Sequence, residues 1–300
     1  MLAPLGGVTR ALTARRLRRP GYAPGIPVLC VGNAGVGGAG KTIVALDLLA
    51  RLPGRPFFLT RGYGGRLAGP LRVGAGHGPR EVGDEALLLA AAAPTIVARD
   101  RAAGARLALA QGATALVMDD GLQNPGLMKT AALLVIDGGF GFGNGLLLPA
   151  GPLREPVAEA AARCTAAVLL GEDATGALAA LPAGLPVLRA TLAPHCALPL
   201  SGVRVVAFAG IGRPEKFFES VALLGAGVQA AIAFPDHHFY AATELRRLAG
   251  RAARLQAALV TTQKDFVKLP PWMQAQTGVV TVRPDWQDKA ALQNLLAAIV

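Results

Sequence analysis

The chain has 300 residues, 52% of them apolar and 16% charged, which is enough for one large or two modest cores and excludes a disordered chain. Its net charge of +11 indicates an anionic ligand or lipid surface, but no helix-turn-helix, zinc finger or aromatic RNA-binding pattern accompanies it, which argues against nucleic acid. Cys30, Cys164 and Cys196 lie far apart, which predicts buried free thiols in a reducing compartment rather than disulfides or a zinc site.

Residues 1–20 contain five arginines and no acidic residue. Leu5, Val8 and Leu12 recur at helical spacing, and the apolar stretch is too short to span a bilayer. This pattern predicts a basic amphipathic helix that lies in the interface of an anionic membrane. A solvated helix packed on the protein body is the alternative, and the residues alone leave both open.

Short apolar strands alternate with helical stretches over residues 21–185. The predicted strands are "IPVLCVG", "RPFFLT", "TIVA", "TALVMDDG", "AALLVID" and "AAVLLG". The predicted helices are residues 42–52, "EALLLAAAA" and "DRAAGARLALAQG". Strands that alternate with helices in this way predict a doubly wound parallel α/β sheet.

A second alternation begins at residue 203, after a proline-rich stretch with few charges. Residues 186–202 are predicted to be a connector, and residues 203–300 a smaller α/β domain. The last helix of that domain, "DKAALQNLLAAIV", is free to pack back on the first domain. Two α/β domains predict a ligand site in the cleft between them.

The glycine-rich stretch that follows the first strand matches the phosphate-binding pattern G-x-x-x-x-G-K-[ST]. Its glycines let backbone N–H groups converge on phosphate oxygens at the start of a helix. The last two residues add a cation for the β- and γ-phosphates and a hydroxyl for Mg²⁺. Together with the alternating strands and helices, this motif predicts a doubly wound sheet of the P-loop NTPase type. The predicted nucleotide site comprises Gly35, Val36, Gly37, Gly38, Ala39, Gly40, Lys41 and Thr42.

Asp119 and Asp120 end an apolar strand, which is where a Walker-B-type acid binds or orients Mg²⁺. A polar Asp-Asp-Gly turn is the alternative interpretation. The stretch "TTQKD" is the nearest match to a guanine-reading motif, but Lys264 and Asp265 are adjacent and the spacing fails. The pattern therefore disfavours a GTPase.

A phosphoryl transfer to an alcohol also needs a group that takes the proton of the acceptor. Asp84 and Glu85 come just before a helix, where aspartate is also a preferred N-cap. His237 and His238 follow a strand of the second domain, as loop residues or facing the cleft. Asp84 paired with one of these histidines would be a proton acceptor, but the spacing alone leaves the helix cap open.

The run "GGFGFGNG", residues 138–145, is followed by no helix, which excludes a dinucleotide-binding fingerprint. It predicts a mobile loop over a ligand, with the following "LLPAGPLREP" presenting Arg154.

Taken in order, eight motifs between residues 27 and 270 resemble those of the tetraacyldisaccharide 4′-kinase (lipid A 4′-kinase) family. They are "VGNAGVGGAGKT", "TRGYGG", "VGDEALLLA", "DDGLQ", "GFGNGLLLPAGPLREP", "AGIGRPEKFF", "FPDHH" and "TTQKDFVKL". The resemblance implies ATP-dependent phosphorylation of the 4′-hydroxyl of an acylated glucosamine disaccharide 1-phosphate. It also implies the cytoplasmic face of a Gram-negative inner membrane, an N-terminal membrane-associating helix, and two α/β domains joined by a β-ribbon.

The resemblance further implies roles for individual residues. Lys41 and Thr42 would bind ATP and Mg²⁺, and Asp84 would be the base, partnered by His237. The metal side would comprise Thr42, Asp119, Asp120 and Glu85. Residues in motifs that line the family's site, and so candidates for substrate contacts, are Arg61, Tyr63, Arg101, Gln123, Asn144 and Arg154.

The chain departs from the family pattern at four positions. Asn124 stands where the family has His, Ile43 where it has Pro, Leu146 where it has Arg, and Gly35 where relatives often have Thr. Asn124 matters most, because loss of an imidazole beside the metal carboxylates can change the rate or the nucleotide geometry. The metal ligands themselves are retained.

Two further functions stay open at this stage. One is a P-loop kinase for another alcohol acceptor, and the other is a membrane-associated, nucleotide-switched ATPase that acts through protein partners. A kinase requires its alcohol to consume ATP, whereas a switch hydrolyses ATP slowly and responds to a partner. A monomer is expected.

Overall fold

The computed structural model describes residues 5–299, and the strands in this range form one continuous sheet. The strands are β1 Val28–Gly32, β2 Pro56–Thr60, β3 Leu71–Arg72, β4 Thr95–Val97, β5 Ala115–Asp119, β6 Ala131–Asp137, β7 Ala166–Leu170, β8 Val187–Cys196, β9 Arg204–Ala209, β10 Gly227–Ala233, β11 Ala258–Thr262 and β12 Thr277–Trp286. Their order across the sheet is β10-β9-β11-β12-β8-β7-β6-β1-β5-β2-β4-β3. The predicted α/β class with a mostly parallel sheet is confirmed.

Helices cover both faces of this sheet. They are α1 Leu5–Leu17, α2 Lys41–Arg51, α3 Pro79–Val82, α4 Asp84–Ala92, α5 Arg101–Ala110, α6 Val157–Ala161, α7 Pro214–Leu223, α8 Ala242–Arg254, α9 Gln263–Phe266, α10 Pro271–Gln274 and α11 Lys289–Ala297. The longer apolar patterns of the sequence all become strands or helices within a few residues of their predicted limits. The short helices α3, α6, α9 and α10 have no apolar periodicity and were not predicted.

The sheet consists of two parallel parts joined by a two-stranded ribbon. The N-terminal half-sheet is β1, β2 and β4 to β7 with the start of β8, and the C-terminal half-sheet is β9 to β11 with the start of β12. β8 pairs with β7 as far as Ala190 and then continues to Cys196, where its partner is β12. The connector predicted at residues 186–202 therefore contains a ten-residue strand.

The ribbon turns the two half-sheets toward each other. β12 runs antiparallel to β8, with Val280 opposite Cys196 and Trp286 opposite Ala190. The beginning of β12 thus lies far from the N-terminal half-sheet, and its end lies close to it. Since β9, β10 and β11 run parallel to β12, their carboxyl ends point toward the carboxyl ends of the N-terminal half-sheet.

Each half-sheet has an apolar layer on both faces. In the N-terminal half-sheet, α5 and α6 pack on one face, and α2 packs on the other together with α11. In the C-terminal half-sheet, α8 covers one face and α7 the other. The end of the chain therefore completes the core of the N-terminal half-sheet: Leu292 and Leu296 are buried there, and Trp286 Nε1 donates to Asp47 Oδ2 at 2.8 Å.

Helix α1 packs on the protein and still exposes an apolar face. Thr9 Oγ1 donates to the carbonyl of Leu148 at 2.7 Å, and Arg10 pairs with Glu159 at 2.6 Å. Leu5, Val8 and Leu12 are 49%, 56% and 62% exposed. The sequence left open a helix packed on the protein body and a helix with an apolar face for a membrane. Helix α1 has features of both, because it is docked on the protein and keeps an exposed apolar stripe.

No helix within residues 5–299 combines the length and the apolar character needed to cross a bilayer. Of the predicted buried thiols, Cys30 is buried, whereas Cys164 and Cys196 are only partly buried. The prediction of full burial is wrong for these two, because one follows the short helix α6 and the other ends β8, where the ribbon leaves the core.

Gly83, at the start of α4, fixes the position of that helix, and its role can be tested by substitution. Gly83 has φ +88, and a Cβ there would lie 2.2 Å from the carbonyl oxygen of Tyr63. Gly83→Ala should lower the free energy of unfolding by about 2 kcal/mol or more, because the backbone must shift to relieve the clash. Urea denaturation measures this loss.

Gly74→Ala is the matched control, because a Cβ at Gly74 meets nothing within 4 Å. Its effect should stay within about 0.5 kcal/mol. Equal denaturation midpoints for the two variants would contradict the close approach described for Gly83.

Candidate active site

Residues 35–42 lie at the carboxyl edge of the N-terminal half-sheet, between β1 and α2. Residues 35–40 form the loop, and Lys41 and Thr42 are the first two residues of α2. Gly37 and Gly40 have φ +111 and +85, and a Cβ at Gly37 or Gly38 would meet nothing within 4 Å. The loop is held from outside, because Val36 N donates to the carbonyl of Pro152 at 2.8 Å. This open, glycine-lined backbone at a helix start is suited to bind a phosphate chain.

Lys41, the first residue of α2, folds back over this loop. Its Nζ donates to the carbonyl of Gly37 at 3.3 Å and lies 3.8 Å from Asp120 Oδ1. Both contacts are long, so the ammonium group is held beside the loop without a short ion pair. A bound polyphosphate would offer it a closer anionic partner.

Thr42 and Asp119 form the centre of the predicted metal side. Thr42 Oγ1 donates to Asp119 Oδ2 at 2.9 Å, and Asp119 is only 3% exposed. Asp119 Oδ1 is buried without a hydrogen-bond partner in the described part of the chain. Burial, with a further contribution from Glu85, raises the pKa of Asp119 from 3.8 to about 7.

These donors fit a divalent cation that keeps part of its coordination for other ligands. Burial also raises the pKa of the Glu85 carboxyl, so both acids are held at the cost of desolvation. Within residues 5–299, no cluster of three His, Cys, Asp or Glu residues forms a complete cage. Mg²⁺ in phosphoryl-transfer sites is bound in this way, by one or two carboxylates together with phosphates and water.

Asp120 belongs to a chain of ion pairs rather than to the buried acids. Both of its oxygens accept hydrogen bonds from Arg154 at 3.1 Å. Arg154 also donates to Gln123 Oε1 at 3.2 Å, and Gln123 Nε2 donates to Glu155 Oε1 at 2.9 Å. Glu155 is buried and is paired with Arg163 at 2.6 Å. Arg154 is therefore fixed beside the phosphate-binding loop.

The C-terminal half-sheet places His237 directly against Asp84. His237 Nδ1 lies 2.9 Å from Asp84 Oδ2 and 3.1 Å from Asp84 Oδ1, although 153 residues separate them. Lys264 Nζ lies 3.7 Å from the same Oδ2 and 3.3 Å from Asp236 Oδ1. The predicted pair thus lies in a cluster of four charged or titratable side chains that joins the two half-sheets.

Asp84 does not cap its helix in the usual way. Helix α4 begins at Asp84 itself, and Gly83 occupies the N-cap position. Among the described residues, the one backbone N–H that donates to the Asp84 carboxylate is that of the neighbouring Glu85, at 2.9 Å, while both carboxylate oxygens are turned toward His237. The helix-cap alternative therefore does not account for this side chain.

His238, the second histidine of the pair, points away from this cluster. Its Nε2 lies 3.0 Å from Glu244 Oε2, and its ring stacks on Phe234. Its neighbour His237 adopts φ +58, which turns the two adjacent side chains in different directions.

A second contact joins the half-sheets at the phosphate-binding loop. Arg213, just before α7, donates to the carbonyl of Gly38 at 3.0 Å and pairs with Asp137 at 2.5 Å. Lys216 pairs with the same carboxylate at 3.2 Å. Burial alone would raise the pKa of Asp137, but the two cations outweigh it and hold that pKa below its ordinary value.

The remaining predicted residues lie at varied distances from this centre. The ring of Tyr63 is 5.9 Å from that of His237, which places it beside the Asp84–His237 pair. Arg61 is exposed at the end of β2, and Arg101 is buried and donates to the carbonyl of Ala98. The side chain of Asn144 hydrogen-bonds within its own loop, to the backbone of Ala150 and Leu146.

The positions that depart from the family pattern have structural explanations only in part. Asn124 Oδ1 accepts the N–H of Gly126 at 2.9 Å, and its carbonyl accepts from Lys129 Nζ at 2.7 Å, so the side chain closes its own turn. Leu146 is 44% exposed. Nothing in the structure explains Ile43.

Sequence reasoning missed Lys264, Arg213 and Glu155 as parts of the site. Lys264 lies in the failed guanine motif and in the motif "TTQKDFVKL" of the family resemblance, but neither gave it a role. Its position immediately after a strand of the second domain was the available signal, because strand ends of both domains meet at the cleft.

Comparisons with known proteins identify the family of this chain. The family model for tetraacyldisaccharide-1-P 4′-kinase matches residues 1–300. A tetraacyldisaccharide 4′-kinase of Gluconacetobacter diazotrophicus is 56% identical over 99% of this chain and 92% of its own length, and one of Rhodospirillum centenum is 54% identical over 100% and 91%. A crystal structure of LpxK from Aquifex aeolicus in complex with ATP superposes with a TM-score of 0.79 at 25% identity, covering 99% of this chain and 98% of that one.

In the absence of bound ligands, the buried carboxylate of Asp119 should lower the free energy of unfolding at high pH. Because the pKa of Asp119 is raised in the folded state, its ionisation opposes folding as the pH rises from about 4 to about 7. Asp119→Asn should therefore raise the free energy of unfolding at pH 8, in chelator, by roughly 1 to 3 kcal/mol. The gain should vanish near pH 4.

Asp137→Asn provides a control with the opposite sign. The pKa of Asp137 is lowered in the folded state, so its carboxylate contributes stability above its unfolded pKa, and the amide loses it. Chemical denaturation of both variants between pH 4 and pH 8 measures the two effects. A loss of stability in Asp119→Asn at pH 8 would refute the first.

Proposed function

We propose a division of roles in this site from the premise that the chain belongs to the tetraacyldisaccharide 4′-kinase family, whose model matches it from end to end. Members of this family phosphorylate the lipid A precursor at the 4′ position. The specific reaction is transfer of the γ-phosphoryl group of ATP to the 4′-hydroxyl of tetraacyldisaccharide 1-phosphate, a lipid-linked glucosamine disaccharide. One observation carries this proposal: Asp84, on the same cleft wall as the phosphate-binding loop, is paired at 2.9 Å with His237 of the opposite wall.

The nucleotide side is assigned to residues 35–42. The backbone N–H groups of this loop and the start of α2 would hold the phosphates of ATP, and Lys41 would leave Gly37 to contact the β- and γ-phosphates. Thr42, Asp119, Asp120 and Glu85 would hold Mg²⁺, directly or through water. When bound, the ion neutralises charge on the phosphates and fixes their geometry.

The acceptor side is assigned to Asp84 and His237. The 4′-oxygen attacks the γ-phosphorus, the bond from that phosphorus to the β–γ bridging oxygen breaks, and ADP leaves with the electron pair. The hydroxyl proton passes to the Asp84 carboxylate, which His237 orients through Nδ1 at 2.9 Å. The protein supplies positioning and charge, which is what phosphoryl transfer mainly requires.

Substrate contacts are assigned by position. Tyr63 beside His237, and Arg154 with Gln123 beside Asp120, border the space between the acceptor base and the loop. Arg61 and Arg101 lie further along the same edge. Asn144 shapes the loop of residues 144–150 and has no assigned substrate contact.

Helix α1 is assigned to a membrane surface. Leu5, Val8 and Leu12 form an exposed apolar stripe on a segment rich in arginine, which is the arrangement that binds reversibly to an anionic interface. Attachment to the cytoplasmic face of the inner membrane would bring the site to an acylated substrate. We expect the protein to act as a monomer.

The direct test is incubation with ATP, Mg²⁺ and tetraacyldisaccharide 1-phosphate in detergent, followed by mass spectrometry. We expect one added phosphoryl group on the 4′-oxygen and one ADP for each product. Lys41→Ala is the control and should abolish transfer, because the charge on the β- and γ-phosphates is lost. ADP release that does not require the acceptor would favour a switch ATPase.

The coupling between Asp84 and His237 can be tested with single and double variants. If the two act as one unit, Asp84→Asn and His237→Ala should each lower kcat by about 10² to 10⁴ and barely change the affinity for ATP. The double variant should be little worse than the worse single one, because coupled catalytic groups are not additive. Losses that multiply in steady-state kinetics would separate the two residues.

The apolar stripe of α1 can be tested by its binding to lipid vesicles. Val8→Ser combined with Leu12→Ser should weaken binding to vesicles of anionic phospholipid by about tenfold or more, because the buried apolar area is lost. Leu223→Ser is the matched control, since Leu223 is 77% exposed at the end of α7. Co-sedimentation measures the binding, and equal binding of both variants at low salt would exclude the interfacial helix.

A further inference from the structure

Lys264 reaches across the cleft from the C-terminal half-sheet. It is the second residue of α9, just after β11, and its side chain is 18% exposed. Its Nζ lies 3.7 Å from Asp84 Oδ2 on the N-terminal side and 3.3 Å from Asp236 Oδ1 on its own side. A lysine that is held mostly out of water between two carboxylates has a defined position rather than a solvated one.

A buried carboxylate fixes the turn that carries this lysine. Asp265 is fully buried, and its Oδ2 accepts the N–H of Gly210 at 2.9 Å and the hydroxyl of Thr262 at 2.7 Å. Thr262 Oγ1 in turn accepts Asp265 N at 3.0 Å, and Lys268 Nζ lies 2.7 Å from Asp265 Oδ1. The backbone on which Lys264 stands is therefore tied to β9, β11 and α9 at once.

The contacts of Asp84 show what Lys264 adds. Asp84 Oδ1 is occupied by Glu85 N and by His237, whereas Oδ2 is approached by His237 and by Lys264. In the described part of the chain, Lys264 is the one permanently charged cation within 4.0 Å of this carboxylate. Glu85 is the adjacent residue, and Lys264 lowers the pKa of that acid against the larger effect of burial.

We propose that Lys264 is a positioning residue for the acceptor base: its ammonium group, together with the imidazole of His237, holds Asp84 Oδ2 in place. This inference rests on the proposed function, in which Asp84 receives the hydroxyl proton. Lys264 takes no proton and forms no bond to substrate. It limits rotation of the carboxylate, so that the oxygen that faces the hydroxyl stays in place when the nucleotide and the acceptor bind.

Asp236 is the second part of this arrangement. Its Oδ1 holds Lys264 at 3.3 Å, and its Oδ2 lies 3.8 Å from His237 Nε2. Because Asp236 and His237 are neighbours on one loop, the lysine and the histidine are delivered to Asp84 as a connected group. The loop after β10 and the turn after β11 must therefore both be in place for the base to be aligned.

The test uses the full-length protein with ATP and tetraacyldisaccharide 1-phosphate, and it compares Lys264→Met, Lys264→Arg and Lys289→Met. Lys289 is an exposed lysine at the start of α11 and serves as the control. Lys264→Met should lower kcat by about tenfold to a hundredfold with the KM for ATP within about twofold of wild type, because alignment rather than nucleotide binding is lost. Lys264→Arg should recover most of kcat.

A cycle with His237→Ala separates positioning from general destabilisation. In that background Lys264→Met should cost no more than about twofold, because the base is already misaligned. A kcat within twofold of wild type for Lys264→Met, no rescue by arginine, or losses that multiply with His237→Ala would each overturn the inference. Absence of phosphoryl transfer by the wild-type protein would instead count against the proposed function.

Discussion

The chemistry of this protein depends on one geometric constraint: two parallel half-sheets must present their carboxyl ends to each other. The antiparallel pairing of β8 with β12 imposes it, because a single ribbon leads the chain out of the first half-sheet and reverses its direction for the second. Loops at the carboxyl ends of parallel strands then meet from both sides. The phosphate-binding loop, Asp84 and Arg154 lie on one wall, and His237 and Arg213 lie on the other.

Ion pairs and hydrogen bonds join these walls at the site. They connect His237 and Lys264 with Asp84, and Arg213 with Asp137 and Gly38. Such contacts rearrange at little cost when a charged ligand offers better partners, whereas an apolar interface would have to be pulled apart. The buried acids Asp119 and Glu85 have the opposite effect. Their raised pKa values mean that ionisation of these side chains lowers the stability of the folded protein, and a bound cation would offset that loss.

Most of the N-terminal half-sheet could be predicted because its strands are continuous apolar runs and its loop carries a specific motif. The sequence also indicated Asp84 and His237, but their contact depends on a reversal of strand direction at a proline-rich stretch. The residues there show no strand pattern, and only the family resemblance implied a β-ribbon. β8 lies there, and its pairing partner β12 begins 81 residues later, at Thr277. Lys264 was overlooked for the same reason, since its role appears only when the second half-sheet has been turned toward the first.

The position of α11 has a consequence for how the chain folds as it is synthesised. Residues between β8 and β12 form an insertion whose two ends are neighbours, with Cys196 opposite Val280. The inserted half emerges from the ribosome complete, whereas the first half still lacks Trp286, Leu292 and Leu296 from its core. The N-terminal half is therefore the last to fold. A truncated or stalled product would carry a folded inserted half joined to an incompletely folded N-terminal half with exposed apolar surface, which is prone to aggregate.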